Sequence, residues 1–161
     1  MTKVKPVILG LGNPLFQDEG LGIHLIHQLI KEEIDDRADL IDGGTDALSL
    51  LGIVEEAQYL LIIDAVNADQ PGGTILYIDG QDIPLLMSDK MSVHQIGFQE
   101  VLTLASLRGR LPGHMALIGV QPQSLDWGTE LSPPVASTMT TVKEMVYAQI
   151  DSWAALISAD L

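Results

Sequence analysis

The sequence predicts an α/β protein in which a five-stranded, mostly parallel sheet lies between two layers of helices. Short apolar segments typical of buried strands alternate with segments of helical period, which favours a three-layer α/β/α sandwich. Residues 59–66, YLLIIDAV, are apolar at consecutive positions, as in strands that are covered on both faces. The loop to the next apolar segment is too short for a helical crossover, so we expect one antiparallel strand at an edge.

The five predicted strands are short apolar segments, and several are bounded by glycine or charged residues. The first covers residues 4–11 and runs into the glycine-rich sequence GLGNP. The second covers residues 39–42 and is followed by two glycines. The third and fourth cover 59–66 and 73–78, and the fifth covers 114–120, HMALIGV.

Four helices are predicted between and after these strands. Residues 20–34 place leucine and isoleucine on one face and two histidines on the other, and residues 46–57 carry apolar side chains three apart. Residues 92–107 begin at a serine that suits a helix cap. The last helix, 132–157, begins with Ser132 as the expected cap and a proline in the first turn.

The composition narrows the possible functions. The length of 161 residues suits a single domain, 1–161, with a substantial core. The net charge of −14 disfavours binding to nucleic acid or anionic membranes and is compatible with cations or a basic protein segment. The chain has no cysteine, which excludes disulfides and thiolate chemistry. Without a signal-peptide core, an apolar run of ~20 residues or an oligomerisation stripe, we expect a cytoplasmic monomer.

Acidic residues follow three of the predicted strands. The loops at 12–19, 42–46 and 64–67 leave the carboxyl ends of strands, and each contains a carboxylate. Ligands of open α/β sheets bind at this edge. The sequence therefore predicts a functional site where these loops meet.

The first of these loops has the position of a phosphate cradle but the wrong charge. The sequence GLGNPL lacks the third glycine of a dinucleotide-binding motif, and Asp18 and Glu19 would repel a pyrophosphate. A nucleotide-binding module is therefore a weak alternative. Asp18 also fits the ordinary preference of carboxylates for helix N-termini.

Two further residues could complete a metal site with Glu19. Asp64 ends an apolar run, so its charge needs a compensating cation or donor, although it could simply cap a loop. His94 falls in the first turn of a predicted helix, where a neutral imidazole is favoured, although it could be an exposed histidine. Two oxygens and a nitrogen suit Zn²⁺, Ni²⁺, Mn²⁺ or Fe²⁺. In a hydrolase, a metal-bound water would be the best-supported nucleophile.

The loop LIDGGTD follows the second predicted strand at the same edge. Gly43 and Gly44 permit positive φ and a close approach by the backbone of a partner, although the segment could equally be a simple turn.

Five segments of the chain, taken together, resemble the nickel-iron hydrogenase maturation endopeptidases. They are GLGNPLFQDEGLG, IDGGT, LLIIDAV, KMSVHQIGF and GVQPQSLDWGTELSP, in the family's order. The resemblance implies a phosphorylase/hydrolase-like sheet with strand order 2-1-3-5-4. It also implies an aspartic-type endopeptidase that removes a C-terminal extension from the nickel-loaded precursor of the hydrogenase large subunit.

The same resemblance implies roles for particular residues. The family's metal-contacting and catalytic positions match Glu19, Asp64 and His94. Its substrate-recognition loop matches four consecutive residues: Asp42, Gly43, Gly44 and Thr45. Nickel would arrive with the substrate, and zinc or cadmium could replace it in a crystal. Whether the metal is catalytic, and which carboxylate acts as the base, stay open. Two alternatives are a hydrolase similar to peptidyl-tRNA hydrolase, which the GLGNP segment also resembles, and a nickel-binding module without enzymatic activity.

Overall fold

The computed structural model of the chain describes residues 3–80, Ile83 and residues 96–161. These residues form a five-stranded sheet with the spatial order β2-β1-β3-β5-β4. The strands are β1 Val7–Gly10, β2 Asp39–Asp42, β3 Tyr59–Ala65, β4 Ile75–Asp79 and β5 His114–Val120. Neighbouring strands are parallel except for β4, which pairs antiparallel with β5 at the edge. The predicted mixed sheet, its antiparallel edge strand and the order 2-1-3-5-4 are confirmed.

Helices connect the strands and cover both faces of the sheet. They are a 3₁₀ turn at Gln17–Gly20, α1 Leu21–Lys31, a second 3₁₀ turn at Ala47–Leu50, α2 Leu51–Glu56, α3 Ile96–Leu107, α4 Pro133–Ala136 and α5 Met139–Ala159. None of the helices in the described part of the chain combines the length and the apolar character needed to cross a membrane.

Alternating side chains of the strands divide the core into two layers. Leu61 and Ile63 of β3 face the side that α1 and α5 cover. Leu60 and Ile62 of the same strand face the side that α2 and α3 cover. Since successive residues of a strand point to opposite faces, a strand buried on both sides must be apolar throughout. The three-layer arrangement predicted from this segment is confirmed.

The last helix differs from the prediction, because residues 132–157 do not form one helix. The hydroxyls of Ser137 and Thr138 donate to carbonyls three residues earlier, at the junction between α4 and α5. Such local bonds compete with the regular helical pattern. Ser132 does occupy the N-cap position, with proline in the first turn as predicted, but its hydroxyl donates to the carboxylate of Asp18 and makes no capping bond.

The segment before α1 is a tight turn rather than a regular start of the helix. Gln17 has a φ of 47°, which is unusual for a residue with a side chain. The 3₁₀ turn that begins there buries Asp18 and Glu19 instead of leaving them at an exposed helix end. The turn thus carries both carboxylates into the carboxyl edge of the sheet.

Candidate functional site

Glu19 and Asp64 lie at the carboxyl ends of neighbouring strands. Asp64 is the second-last residue of β3, and Glu19 sits in the turn that follows β1 and packs against β3. The backbone of Leu11 donates to the carbonyl of Ile63 over 3.0 Å, which joins the two strand ends. Gly12 allows the turn to fold back, because a Cβ there would lie 1.8 Å from the carbonyl oxygen of Glu19.

Both carboxylates are buried. Glu19 is 3 % exposed and Asp64 is fully buried. Both oxygens of Asp64 and Oε1 of Glu19 are shielded from solvent. Burial disfavours the charged form of a carboxylate unless donors or a cation compensate it. Oxygen donors of this kind suit a divalent cation, and either carboxylate could accept a proton from an attacking water.

The third predicted ligand, His94, lies outside the described residues. Within residues 3–80, 83 and 96–161, no group of three or more histidine, aspartate or glutamate side chains could hold a metal ion. The three-residue metal site of Glu19, Asp64 and His94 therefore stays a prediction.

Asp42 organises the loop that follows β2. Its Oδ1 accepts a hydrogen bond from the backbone of Gly44 over 3.1 Å, and its Oδ2 lies 2.8 Å from Nε2 of His27. The carbonyl of Gly44 in turn accepts from the backbone of Gly12 over 3.2 Å. Sequence periodicity places His27 only on the polar face of α1, and no local spacing relates it to Asp42. The loop is thus fastened both to α1 and to the turn that carries Glu19.

The two glycines of this loop serve different purposes. Gly44 has a φ of 53°, as the sequence predicts for a glycine turn. Gly43 is buried, and a Cβ there would lie 2.8–2.9 Å from atoms of β1 and of the residue that follows it. The absence of a side chain at Gly43 thus makes room for the chain's own first strand, and the close approach of a partner's backbone to this loop stays a prediction.

A small cavity of about 20 Å³ connects this loop with Glu19. Glu19, Gly44 and Thr45 contribute to its wall, together with apolar residues that include Phe98. A much larger groove of about 1400 Å³ lies along β2 and includes none of the predicted site residues in its lining. The described residues thus place Glu19 beside the Asp42–Thr45 loop, whereas the large groove lies elsewhere.

Asp18 has a different task from its neighbour. It is fully buried, and its carboxylate accepts from the backbones of Gln123, Ser124 and Ser132 and from the Ser132 hydroxyl over 2.7–2.9 Å. Asp18 does lie in the first turn of the 3₁₀ helix, as the sequence predicts, but its donors come from a distant part of the chain. Asp18 ties the turn bearing Glu19 to the loop after β5 and to the start of α4.

Gln121 is a residue of this edge that the sequence interpretation missed. It directly follows β5 and is only 7 % exposed. Its Oε1 accepts from the backbones of Ala68 and Gln70, and its Nε2 donates to Asn67 Oδ1. The loop after Asp64 is held in this way. Asp64 is recognised in the sequence as a polar residue at the end of an apolar strand, and Gln121 could have been found by the same criterion.

Comparison with known proteins identifies what this arrangement is similar to. Residues 23–149 match the model of a family described as hydrogenase maturation protease. The chain is 36 % identical over 155 residues to the hydrogenase expression/formation protein HupD of Bradyrhizobium diazoefficiens, covering 94 % of this chain and 81 % of that protein. It is 33 % identical over 146 residues to the hydrogenase 2 maturation protease of Escherichia coli, covering 89 % of each.

The fold agrees with that similarity. The E. coli hydrogenase-maturating endopeptidase HybD superposes with a TM-score of 0.85 and 31 % sequence identity, over 92 % of this chain and 93 % of HybD. A [NiFe] hydrogenase maturation protease from Thermococcus kodakarensis superposes with a TM-score of 0.75 and 26 % identity, over 90 % and 98 % of the two chains.

Proposed function

The chain belongs to the hydrogenase maturation protease family and is therefore a peptidase, and on that premise we propose that it removes a C-terminal extension from the nickel-loaded precursor of a NiFe hydrogenase large subunit. Nickel in the substrate would be contacted by Glu19, Asp64 and His94. The loop Asp42–Thr45 would receive the substrate beside them. In this proposal nickel is part of the substrate rather than a resident cofactor.

One observation carries this proposal: two buried carboxylates, Glu19 and Asp64, lie on neighbouring strand ends at the edge where such sheets bind ligands. Two carboxylates taken out of water favour a cation in their vicinity. A net charge of −14 also attracts cations to the protein. These features favour a metal-bearing protein substrate over the tRNA of a peptidyl-tRNA hydrolase, whose phosphates this charge would repel.

The chemistry needs little beyond these groups. A carboxylate of Glu19 or Asp64 accepts a proton from a water, and the water oxygen attacks the carbonyl carbon of the scissile peptide. The C–N bond then breaks, and the departing amine takes up a proton. A metal ion close to the carbonyl would stabilise the negative charge that develops on its oxygen. Removal of the extension is thereby coupled to the presence of nickel in the precursor.

The test is processing of the nickel-loaded precursor, followed by the intact mass of its large subunit. We expect the unaltered chain to release one fragment of fixed mass. Glu19→Gln, Asp64→Asn and His94→Gln should each reduce the rate at least about 100-fold, as expected when a group acting in the transition state is lost. Asp46→Asn is the matched control, because Asp46 is an exposed carboxylate on the same edge.

The outcomes separate the candidate activities. Binding of nickel-loaded precursor without any shortening would favour the nickel-binding module and overturn the peptidase proposal. Shortening that all three variants perform at the normal rate would leave the peptidase in place but refute this site. Loss of processing in Asp46→Asn as well would show that the edge responds to any change of charge.

A further inference from the structure

We propose that Leu15, Leu125 and Trp127 form a docking surface for the precursor, beside the candidate active site. The inference rests on the proposed function and adds the region of the substrate that is recognised. The occupant is an apolar segment of the precursor, flanked by basic side chains, that adjoins the scissile bond. The three residues are called the tryptophan patch below.

The tryptophan patch consists of large apolar side chains that are exposed. Trp127 is 75 % exposed, Leu15 is 51 % exposed and Leu125 is 44 % exposed. The chain has two tryptophans, and the other, Trp153, is 4 % exposed within the core. An exposed tryptophan accompanied by exposed leucines marks an interaction site more often than chance exposure does, since tryptophan is enriched among the residues that dominate binding.

The patch is held rigidly to the turn that carries Glu19. The ring of Trp127 lies 4.5 Å from the ring of Phe16, centroid to centroid. The backbone of Gly128 donates to the carbonyl of Leu15 over 2.9 Å, and the backbone of Gln17 donates to the carbonyl of Gly128 over 2.8 Å. A preorganised anchor loses little conformational entropy when a partner binds.

The same backbone hydrogen bonds connect the patch to the turn that carries the candidate catalytic residue Glu19. Gln17, which is bonded to Gly128, begins the 3₁₀ turn that contains Glu19. Asp18 fastens the turn to the backbone of Ser124, directly before Leu125. The patch is therefore joined directly to the backbone turn that carries the candidate catalytic carboxylate.

Charge selects the partner that fits this surface. Asp126 and Glu130 are exposed in the same loop, and residues 121–131 and 13–17 contain no lysine or arginine. An acidic rim around an apolar centre is complementary to an apolar segment with basic neighbours. An arginine or lysine of the partner could also lie against the exposed face of the Trp127 ring. A second copy of this chain would bring the same acidic rim against itself and is disfavoured.

Kinetics of precursor processing test the patch. We expect Trp127→Ala to raise KM about tenfold or more and to leave kcat within about twofold, because a docking contact is equally strong in the ground and transition states. Trp127→Phe should recover most of the loss, since it keeps an aromatic ring against Phe16. The matched control is Leu107→Ala, since Leu107 is 82 % exposed at the end of α3 that leads to the start of β5, on the opposite edge of the sheet.

Fluorescence gives a second measurement that does not depend on cleavage. Trp153 is buried already, so the blue shift that follows rapid mixing of nickel-loaded precursor with the unaltered chain should be larger than the shift with Trp127→Phe, in which any signal from the precursor's tryptophans is the same. An unchanged KM in Trp127→Ala, or equal shifts for the unaltered chain and Trp127→Phe, would overturn the docking surface. A concentration-dependent dimer that Trp127→Ala abolishes would assign the patch to a second copy and equally overturn it. Failure of the unaltered chain to cleave would instead refute the proposed function.

Discussion

Asp18→Ala, which removes the carboxylate, should destabilise the fold strongly, although Asp18 does not take part in the proposed chemistry. Three backbone N–H groups and one hydroxyl donate to it in a site without solvent. Breaking such a buried charged cluster from one side costs about 3–5 kcal/mol. In Asp18→Asn an amide oxygen can replace Oδ2, which accepts three of the four bonds, but the NH₂ group then faces the backbone N–H of Ser132. Two donors then face each other, the new NH₂ group and the Ser132 N–H, at a cost of about 1–3 kcal/mol for each unsatisfied group.

Urea denaturation of the two variants measures these differences in the free energy of unfolding. The control is Asp126→Asn, because Asp126 is an exposed carboxylate in the loop that Asp18 holds, and its change should stay within about 0.5 kcal/mol. A double-mutant cycle with Ser132→Ala isolates the bond from the Ser132 hydroxyl, because alanine keeps the backbone N–H that donates to Oδ1. A cost below about 1 kcal/mol for Asp18→Ala would contradict the assigned role of Asp18, since four buried donors would have lost their acceptor at almost no cost.

Two further changes test other parts of the structure. Gly43→Ala should lower the free energy of unfolding by about 1–3 kcal/mol, because its Cβ would lie 2.8–2.9 Å from atoms of its neighbours, whereas Gly52→Ala, with open space around it, should be neutral or stabilising in the same thermal melt. The hydrogen bond from Lys143 lowers the pKa of Glu32 from its usual 4.5, so the unaltered chain should lose this stabilisation as the pH falls below that range. Above that pH range the free energy of unfolding of the unaltered chain should exceed that of Glu32→Gln by less than about 1 kcal/mol, and at low pH the two values should converge. A difference that does not change with pH would contradict this assignment.

Much of the fold can be predicted from local patterns because its central strands are almost entirely apolar. Strands β2 and β5 begin and end at the predicted residues, and β4 is antiparallel because the loop before it is too short for a crossover. The predictions fail where distant residues decide local structure. The helix predicted at 132–157 is two helices, and the hydroxyl of the N-cap residue Ser132 bonds a carboxylate 114 residues away instead of a backbone N–H of its own helix. Local sequence spacing cannot predict a contact between residues so far apart in the chain.

The sequence predicts which strand ends carry the carboxylates of the candidate site. Glu19 and Asp64 both lie at the carboxyl edge, as the order of strands and loops requires. The neighbouring residues Asp18 and Glu19 could not be separated by sequence, since only the fold shows that Asp18 faces the loop after β5. The pairing of His27 with Asp42 could not be predicted from the sequence either, because α1 and β2 approach each other only in the tertiary structure.

The most direct test of the account compares cleavage of nickel-loaded and nickel-free precursor by the same preparation of the chain, with the mass of the large subunit as the readout. We expect the nickel-loaded precursor to be shortened at one bond and the nickel-free precursor to stay intact over the same period. We also expect Glu19→Gln to abolish the shortening while the protein stays folded. Equal cleavage of both precursors would contradict the claim that these carboxylates respond to nickel carried by the substrate.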